Sequence, residues 1–326
     1  MRLCLDWEPP ALERAQADCV TISSMALSES EWESKFRTWM GSASDTEKAR
    51  REHAESMIRS AIQASSALGQ HKVRVFAQGS FRNNTNIPQE SDVDVCVLCS
   101  DTIWTDTTFV PNFTDAGAGL TPGTYPYDAF KNDVEKALVS KFGRAYVLRR
   151  NKHFDVVETG YRVDADVVAA FEHRRYTTQA AYVQPVGTQF YADDATRTVN
   201  WPEQHYVNGV AKNTSTSMRF KGVTRILKSL RYEMLDAGLA EAKPISSYLI
   251  ECLVFNALKS SFGHPRVFDD VHDVIANVWD QTKVDATCWD WGEVNEMKYL
   301  FRGGQPWTRA QANEFMLAAW RFVGFK

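Results

Sequence analysis

Residues 79–97 read GSFRNNTNIPQESDVDVCV, and two aspartates in this stretch constrain the fold more than any other feature of the chain. Asp92 and Asp94 stand one residue apart at the head of the apolar run VDVCVLC (93–99). Side chains alternate along a strand, so positions i and i+2 share a face, and the two carboxylates point the same way at the N-terminal end of a strand. Like charges this close raise the cost of ionising either one unless a cation lies between them. A hard divalent ion such as Mg²⁺, held by one or two carboxylates together with phosphates, is the natural cation. A solvated strand edge is the plain alternative, and an Asp-x-Asp pair alone does not decide between them.

Two further features weigh on the choice. Gly79-Ser80 precedes the pair by a short polar loop; Gly permits close backbone approach, and the Ser hydroxyl with backbone N–H groups can hold phosphate oxygens. A second acidic strand follows at VDADVV, where Asp164 and Asp166 alternate with Val163, Ala165 and Val167. A carboxylate from that strand beside Asp92 and Asp94 completes a three-acid site, the kind that holds two metal ions during phosphoryl transfer.

The elements around these motifs fall into two halves. Residues 45–68 read as one long helix with Met57, Ile58, Ala61, Ile62 and Ala64 on its apolar stripe, ended by Gly69. Strands are expected at 73–77, 93–99, 145–150 and 161–171, with another possible between the last two, and a helix at 127–142; residues 101–125 read as loop. Residues 184–217 are polar and irregular, too long for a passive connection, and are expected to wrap across both halves. Helices then follow at 217–237, 246–262, 267–281 and 308–323. The first of these carries Phe220, Val223, Ile226, Leu227, Leu230 and Met234 on one face, with Lys221, Arg225, Lys228 and Tyr232 as a stripe beside it. Pro244-Ile245-Ser246-Ser247-Tyr248 opens the next, where Ser suits a helix N-cap and a helix N-terminus favours anions.

Composition narrows the class. The chain has 326 residues, 44% hydrophobic and 24% charged, with a formal net charge of −4. That profile is globular, and it argues against a long nucleic-acid polymer as the main ligand, whereas a nucleotide needs only a few local cations. The start lacks a basic-then-apolar secretory pattern, and no apolar run approaches the roughly 20 residues of a membrane helix, so no membrane association and a cytoplasmic location are expected. Six cysteines are scattered; the lone CxxC of Cys96 and Cys99 lies in a strand without zinc-spaced partners, and buried free thiols are expected.

A Gly-Ser pair, eleven residues, Asp-x-Asp on a strand and a distant strand aspartate together resemble the DNA polymerase β-like nucleotidyltransferase superfamily. The full stretch GSFRNNTNIPQESDVDVCV resembles the bacterial cGAS/DncV-like nucleotidyltransferases (CD-NTases), relatives of cyclic GMP–AMP synthase and oligoadenylate synthase. The wording NNTNIPQESDVDV and SYLIECLVFN is most similar to clade E or a neighbouring clade, whose members often make cyclic dinucleotides, some from pyrimidines. The resemblance runs from about residue 45 to the end, through NWPEQHYVNGVAKNTSTSMRFK and the C-terminal aromatics.

The resemblance implies an α+β, bilobed fold: an N-terminal mixed sheet with a long spine helix, and a C-terminal helical bundle. It implies an N-terminal segment (1–44), a catalytic core (45–183), and a helical lobe like that of oligoadenylate synthase with its crossing segment (184–326). Asp166, in DVVAAF, fits the family's third acid better than Asp164, so Asp92, Asp94 and Asp166 become the catalytic metal ligands, for two Mg²⁺ ions with Mn²⁺ as a possible substitute. Gly79 and Ser80 become the phosphate rest, Lys228 in RILKSLR the lysine that reaches the donor triphosphate, and Ser247 and Tyr248 a phosphate contact and a base stack. The implied activity joins nucleoside triphosphates into a cyclic di- or oligonucleotide with release of pyrophosphate, a second messenger for a separate effector in bacterial anti-phage defence. The zinc-binding insertion of the animal DNA sensor is absent, so activation by long DNA is not expected. A nucleotidyltransferase with another acceptor (tRNA, small molecule or protein) and a non-catalytic nucleotide sensor are the competing readings.

Overall fold

The structure, a computed structural model, describes residues 27–89, 92–157 and 164–326. Cys4, Cys19 and residues 161–163 of the expected 161–171 strand lie outside them. In chain order the elements are α1 (Glu29–Met40), α2 (Asp45–Gln63), β1 (Val73–Ala77), α3 (Gly79–Asn83), β2 (Val93–Asp106), α4 (Tyr127–Phe142), β3 (Val147–Arg149), β4 (Phe154–Val156), β5 (Ala165–Arg175), β6 (Gly187–Tyr191), β7 (Arg197–Asn200), α5 (Pro202–Ser215), α6 (Phe220–Asp236), α7 (Ser247–Asn256), α8 (Val267–Gln281), α9 (Asp285–Cys288) and α10 (Arg309–Val323).

The sheet is mixed, in the order β1-β2-β5-β4-β3, with β6 pairing β5 and β7. Among the described residues only β2 and β5 run parallel; the other pairs are antiparallel. Period-2 alternation assigns its two faces. Val93, Val95, Val97 and Cys99 of β2, with Val167 and Ala169 of β5, pack under Ile58, Ala61 and Ile62 of α2 and Phe130, Val134 and Leu138 of α4. The opposite face carries Cys96, Leu98 and Ala170 with Phe76 and Phe190. Asp94 and Asp166 have the parity of this second face, away from α2 and α4.

The helical half has its own core. Gly222 to Leu230 of α6 are buried without a break, packed among α7, α8 and α10. Trp32 and Phe36 of α1 belong to this core, so the chain contributes to the helical half before it builds the sheet. Arg225 accounts for that attachment: its guanidinium donates to the carbonyls of Met40, at the end of α1, and Asn84, after α3.

Four expectations are corrected. Helix α2 stops at Gln63, where Ser65 turns its hydroxyl toward the backbone N–H of Leu68, a local bond that competes with helix continuation. Strand β2 continues past a bulge between Cys99 and Ile103 to Asp106, so 101–106 is strand and not loop. Residues 184–217 are not irregular: β6, β7 and α5 occupy them. The pattern hides α5 because its buried side carries Gln204, His205, Gly209 and Asn213 in place of an apolar stripe, and it bridges α3 and α6. The 246–262 helix ends at Asn256. The four described cysteines are buried free thiols, and no helix among the described residues is long and apolar enough to cross a membrane.

Candidate active site

The strand register builds the acidic centre. Asp94 of β2 is the register partner of Asp166 on β5, and Asp166 is in turn the partner of Asp155 on β4, so three carboxylates form a row across three adjacent strands. Asp92 stands one residue ahead of β2. Burial pushes Asp94 up to about 6, and the like charges of Asp166 and Asp92 add to the rise. Asp166 is raised as well, through burial first, with Asp92, Asp155 and Asp164 adding and His153 opposing.

Gly79 explains its own presence. Its φ is +65°, and a Cβ there would lie 2.0 Å from Oδ2 of Asp94. Only glycine lets the start of α3 press against this carboxylate. Gly79 and Ser80 form the first turn of a five-residue helix that takes residues 81–83 out of the expected loop, and a left-handed Asn84 closes it.

A cavity of about 640 Å³ opens between the sheet and the helical half. All eight sequence-predicted residues line it: Gly79, Ser80, Asp92, Asp94 and Asp166 from the sheet side, and Lys228, Ser247 and Tyr248 from the helices. Its size lies within the range of small-molecule sites. Asp164, the reserve ligand, lines instead a neighbouring cavity of about 530 Å³ with Asp155, His153, Arg150 and Lys152; Asp92 and Asp166 belong to both.

The helical wall rests on a buried carboxylate. Glu251 of α7 accepts from the Thr85 hydroxyl at 2.8 Å, pairs with His205 Nε2 at 2.8 Å and lies 3.9 Å from Lys228 Nζ. Burial alone would raise Glu251; His205, by charge and hydrogen bond, then Lys228 and Thr85 outweigh it and hold the acid at about 2. Lys228 is 1% exposed, so its ammonium is positioned by the protein and not by solvent. The cap of α7 is Ser246, whose hydroxyl accepts from Leu249 N–H, leaving Ser247 in the first turn facing the cavity. Tyr248 is 37% exposed, and its hydroxyl donates to Glu293 at 2.7 Å. Asn295 donates to the same carboxylate, and Gln305 to its other oxygen.

Sequence reading missed several of these residues. Glu251 carried a usable signal: a lone acid inside the apolar run SYLIECLVFN. Asp155 and His153 carried none, since a three-residue strand shows no period. Yet their donor atoms lie within 4.8 Å of one another and of the Asp166 carboxylate, one group of metal-type ligands among the described residues. His153 Nε2 is 2.8 Å from Asp155 and 3.6 Å from Asp166. Of the basic stripe expected on α6, Lys228 and the adjoining Tyr232 reach the cavity; Arg225 is spent on structure.

Residues 58–176 match the nucleotidyltransferase domain, and residues 207–324 match the cGAS/DncV-like nucleotidyltransferase C-terminal helical domain. The chain is 42% identical over 293 residues to the cyclic dipyrimidine nucleotide synthase CdnE of Legionella pneumophila, spanning 90% of this chain and 98% of that one. It is 33% identical to the cyclic dipurine nucleotide synthase of Elizabethkingia meningoseptica, over 90% and 99%. The solved structure of CdnE from Elizabethkingia meningoseptica with GTP and Apcpp superposes with a TM-score of 0.75 at 33% identity, covering 90% and 99% of the two chains. That of the Rhodothermus marinus CdnE c-UMP-AMP synthase with Apcpp and Upnpp does so at 0.74 and 28%, covering 89% and 94%.

Proposed function

The chain belongs to the cGAS/DncV-like nucleotidyltransferases, in clade E, and from that premise we propose that it joins two nucleoside triphosphates, pyrimidine nucleotides first among them, into a cyclic dinucleotide. The observation that carries the reading is the single cavity walled by acids and a Gly-Ser turn on one side and by Lys228, Ser247 and Tyr248 on the other. A triphosphate needs both: oxygen ligands for its counter-ions and cationic or hydroxyl donors for its tail. Pyrimidines take first place because two relatives at 42% and 38% identity are cyclic dipyrimidine synthases, while the dipurine synthase stands at 33%.

The residues fit a divalent cation. Asp94 is raised first by burial and then by the like charges of Asp166 and Asp92, a cost to its ionised form that a bound cation would offset. Asp92, Asp94 and Asp166 would hold Mg²⁺, two ions with Mn²⁺ as a substitute, and the bound metal supplies charge neutralisation at the triphosphate and activation of the attacking hydroxyl. Gly79 and Ser80 hold phosphate oxygens against that centre. Lys228 and Ser247 grip the tail from the other wall, and Tyr248 stacks on a base. Asp166, raised by burial and its acidic neighbours, accepts the proton of the attacking 2′ or 3′ hydroxyl. In-line attack on the α-phosphate then expels pyrophosphate, with catalysis resting on position and charge and not on a protein nucleophile. A second round closes the ring. The product acts as a second messenger on a separate effector in anti-phage defence.

The test is incubation with each radiolabelled triphosphate, singly and in pairs, with Mg²⁺ and no other acceptor. Phosphatase-resistant products with the masses of cyclic dinucleotides are expected from UTP or CTP. Products appearing only when tRNA, a small molecule or a protein is added would replace this reading with a different acceptor.

A further inference from the structure

The far ends of β2 and β5 enclose a further polar cavity that the catalytic scheme does not use. It measures about 380 Å³ and is lined by Asp106, Thr108, His173, Arg175, Arg197 and Lys298, among others. Arg175 stands nine positions after Asp166 on β5, roughly 30 Å of strand. Three cations face one carboxylate there, and that carboxylate is already engaged: Asp106 accepts from Arg175 Nε at 2.8 Å on one oxygen and from the Thr108 hydroxyl at 2.7 Å on the other. The lining keeps a positive excess that can balance a dianion.

His173 supplies an independent sign of a ligand. It is 1% exposed, and its Nε2 has no hydrogen-bond partner among the described residues. The other nitrogen fixes the tautomer. Nδ1 lies 2.9 Å from Gln189 Oε1, and the same oxygen accepts from Arg197 Nη2 at 3.0 Å. An arginine only donates, so that atom is an acceptor and Nδ1 carries the proton. Burial, the largest effect, pushes His173 down to about 4, so the ring is neutral and Nε2 presents a lone pair. A buried acceptor left unpaired destabilises the fold. The complementary ligand therefore carries negative charge for the cations and one O–H for the imidazole.

We propose that this cavity is an oxyanion site for hydrogenphosphate, whose charged oxygens meet Arg175, Arg197 and Lys298 while its single hydroxyl donates to His173 Nε2. Arginine forks and a lysine ammonium are suited to phosphate oxygens. Sulfate matches the size and charge but has no proton to donate at neutral pH, so it leaves Nε2 unpaired and is rejected. The site touches the large cavity through Trp201, a wall residue there, whose ring lies edge-on to His173 at 5.3 Å and under the Arg175 guanidinium at 5.3 Å.

Calorimetric titration of the nucleotide-free full chain in EDTA with phosphate and with sulfate tests this. Phosphate is expected to bind at least about tenfold more tightly than sulfate. Arg197→Gln, at an exposed position, and His173→Gln should abolish the phosphate heat, whereas Ser80→Ala in the large cavity should leave it intact. Loss of the heat in Ser80→Ala but not in Arg197→Gln would assign the phosphate to the large cavity and overturn the proposal. Equal affinity for the two anions, or no binding up to millimolar phosphate, would overturn it as well.

Discussion

Asp94 and Asp166 are register partners on the parallel strands β2 and β5, so their carboxylates meet side by side from positions 72 residues apart in the chain. Neither charge is welcome there without a cation. Asp94 stands at about 6 against an ordinary 3.8, chiefly through burial and then through Asp166 and Asp92. Because the folded value is the higher one, the metal-free protein loses stability as pH rises from 3.8 through about 6. Asp94→Asn should raise the melting temperature in EDTA at pH 7.5 while lowering turnover with Mg²⁺ by at least about 10²–10³-fold. A thermal scan paired with a product assay checks both, and a variant that melts lower in EDTA would contradict the electrostatic account.

The same shift sets a pH dependence for metal binding. A carboxyl must lose its proton to ligate, so binding competes with protonation below about pH 6. Affinity for Mn²⁺, followed by electron paramagnetic resonance without nucleotide, should be flat above pH 7 and fall about tenfold per pH unit below 6. An affinity that first falls below pH 4 would mean that Asp94 is not a ligand.

Gly79→Ala sets its Cβ against Asp94 Oδ2 and forces a φ of +65° on a residue with a side chain. Backbone strain of this kind costs about 1–3 kcal/mol, and the displaced carboxylate adds a loss of catalysis. The expected outcome is a lower melting temperature with at least about tenfold lower turnover. Ser80→Ala, with no strain, should keep the melting temperature and raise the KM for triphosphate.

Glu251 anchors the opposite wall. Removing one partner of a buried charge network typically costs about 3–5 kcal/mol, so Glu251→Ala should be strongly destabilised and Glu251→Gln, which keeps the shape and a bond to Thr85, less so. Its folded pKa is depressed, so its stabilisation is present above about 4.5 and is lost as pH falls from there through about 2. Urea midpoints from pH 6 to pH 3 should drop in the native chain and drop less in Glu251→Gln.

What was legible in the sequence is what short-range periodicity and spacing encode. The i, i+2 rule puts Asp92 and Asp94 on one face, and the VDADVV strand offers Asp164 or Asp166 as a third acid, of which the family resemblance picks Asp166. Family resemblance added Lys228, Ser247 and Tyr248, and the cavity collects all three. The parts not legible depend on register and on buried polarity. Asp155 joins the acidic row only through its antiparallel register with β5. Helix α5 escaped because its core face is polar, its His205 being satisfied by a glutamate 46 residues away. The extension of β2 escaped because a bulge breaks its alternation at Cys99.

Tyr248 separates a substrate contact from a packing residue. Its ring lies 5.6 Å from His205 and 6.0 Å from Trp307, and its hydroxyl is held by Glu293, which keeps bonds from Asn295 and Gln305 when that hydroxyl is gone. Base–aromatic stacking contributes about 1–3 kcal/mol, so Tyr248→Ala should weaken nucleotide binding by about tenfold to a hundredfold. Tyr248→Phe keeps the stacking face and should bind nucleotide within about threefold of the native chain, the change being confined to a net hydrogen bond worth about 0.5–1.5 kcal/mol. The measurement is titration of a non-hydrolysable triphosphate analogue with Mg²⁺, alongside thermal melts of each variant. If Tyr248→Ala lowers the melting temperature and leaves analogue affinity unchanged, the ring only packs against its neighbours and Tyr248 leaves the substrate site.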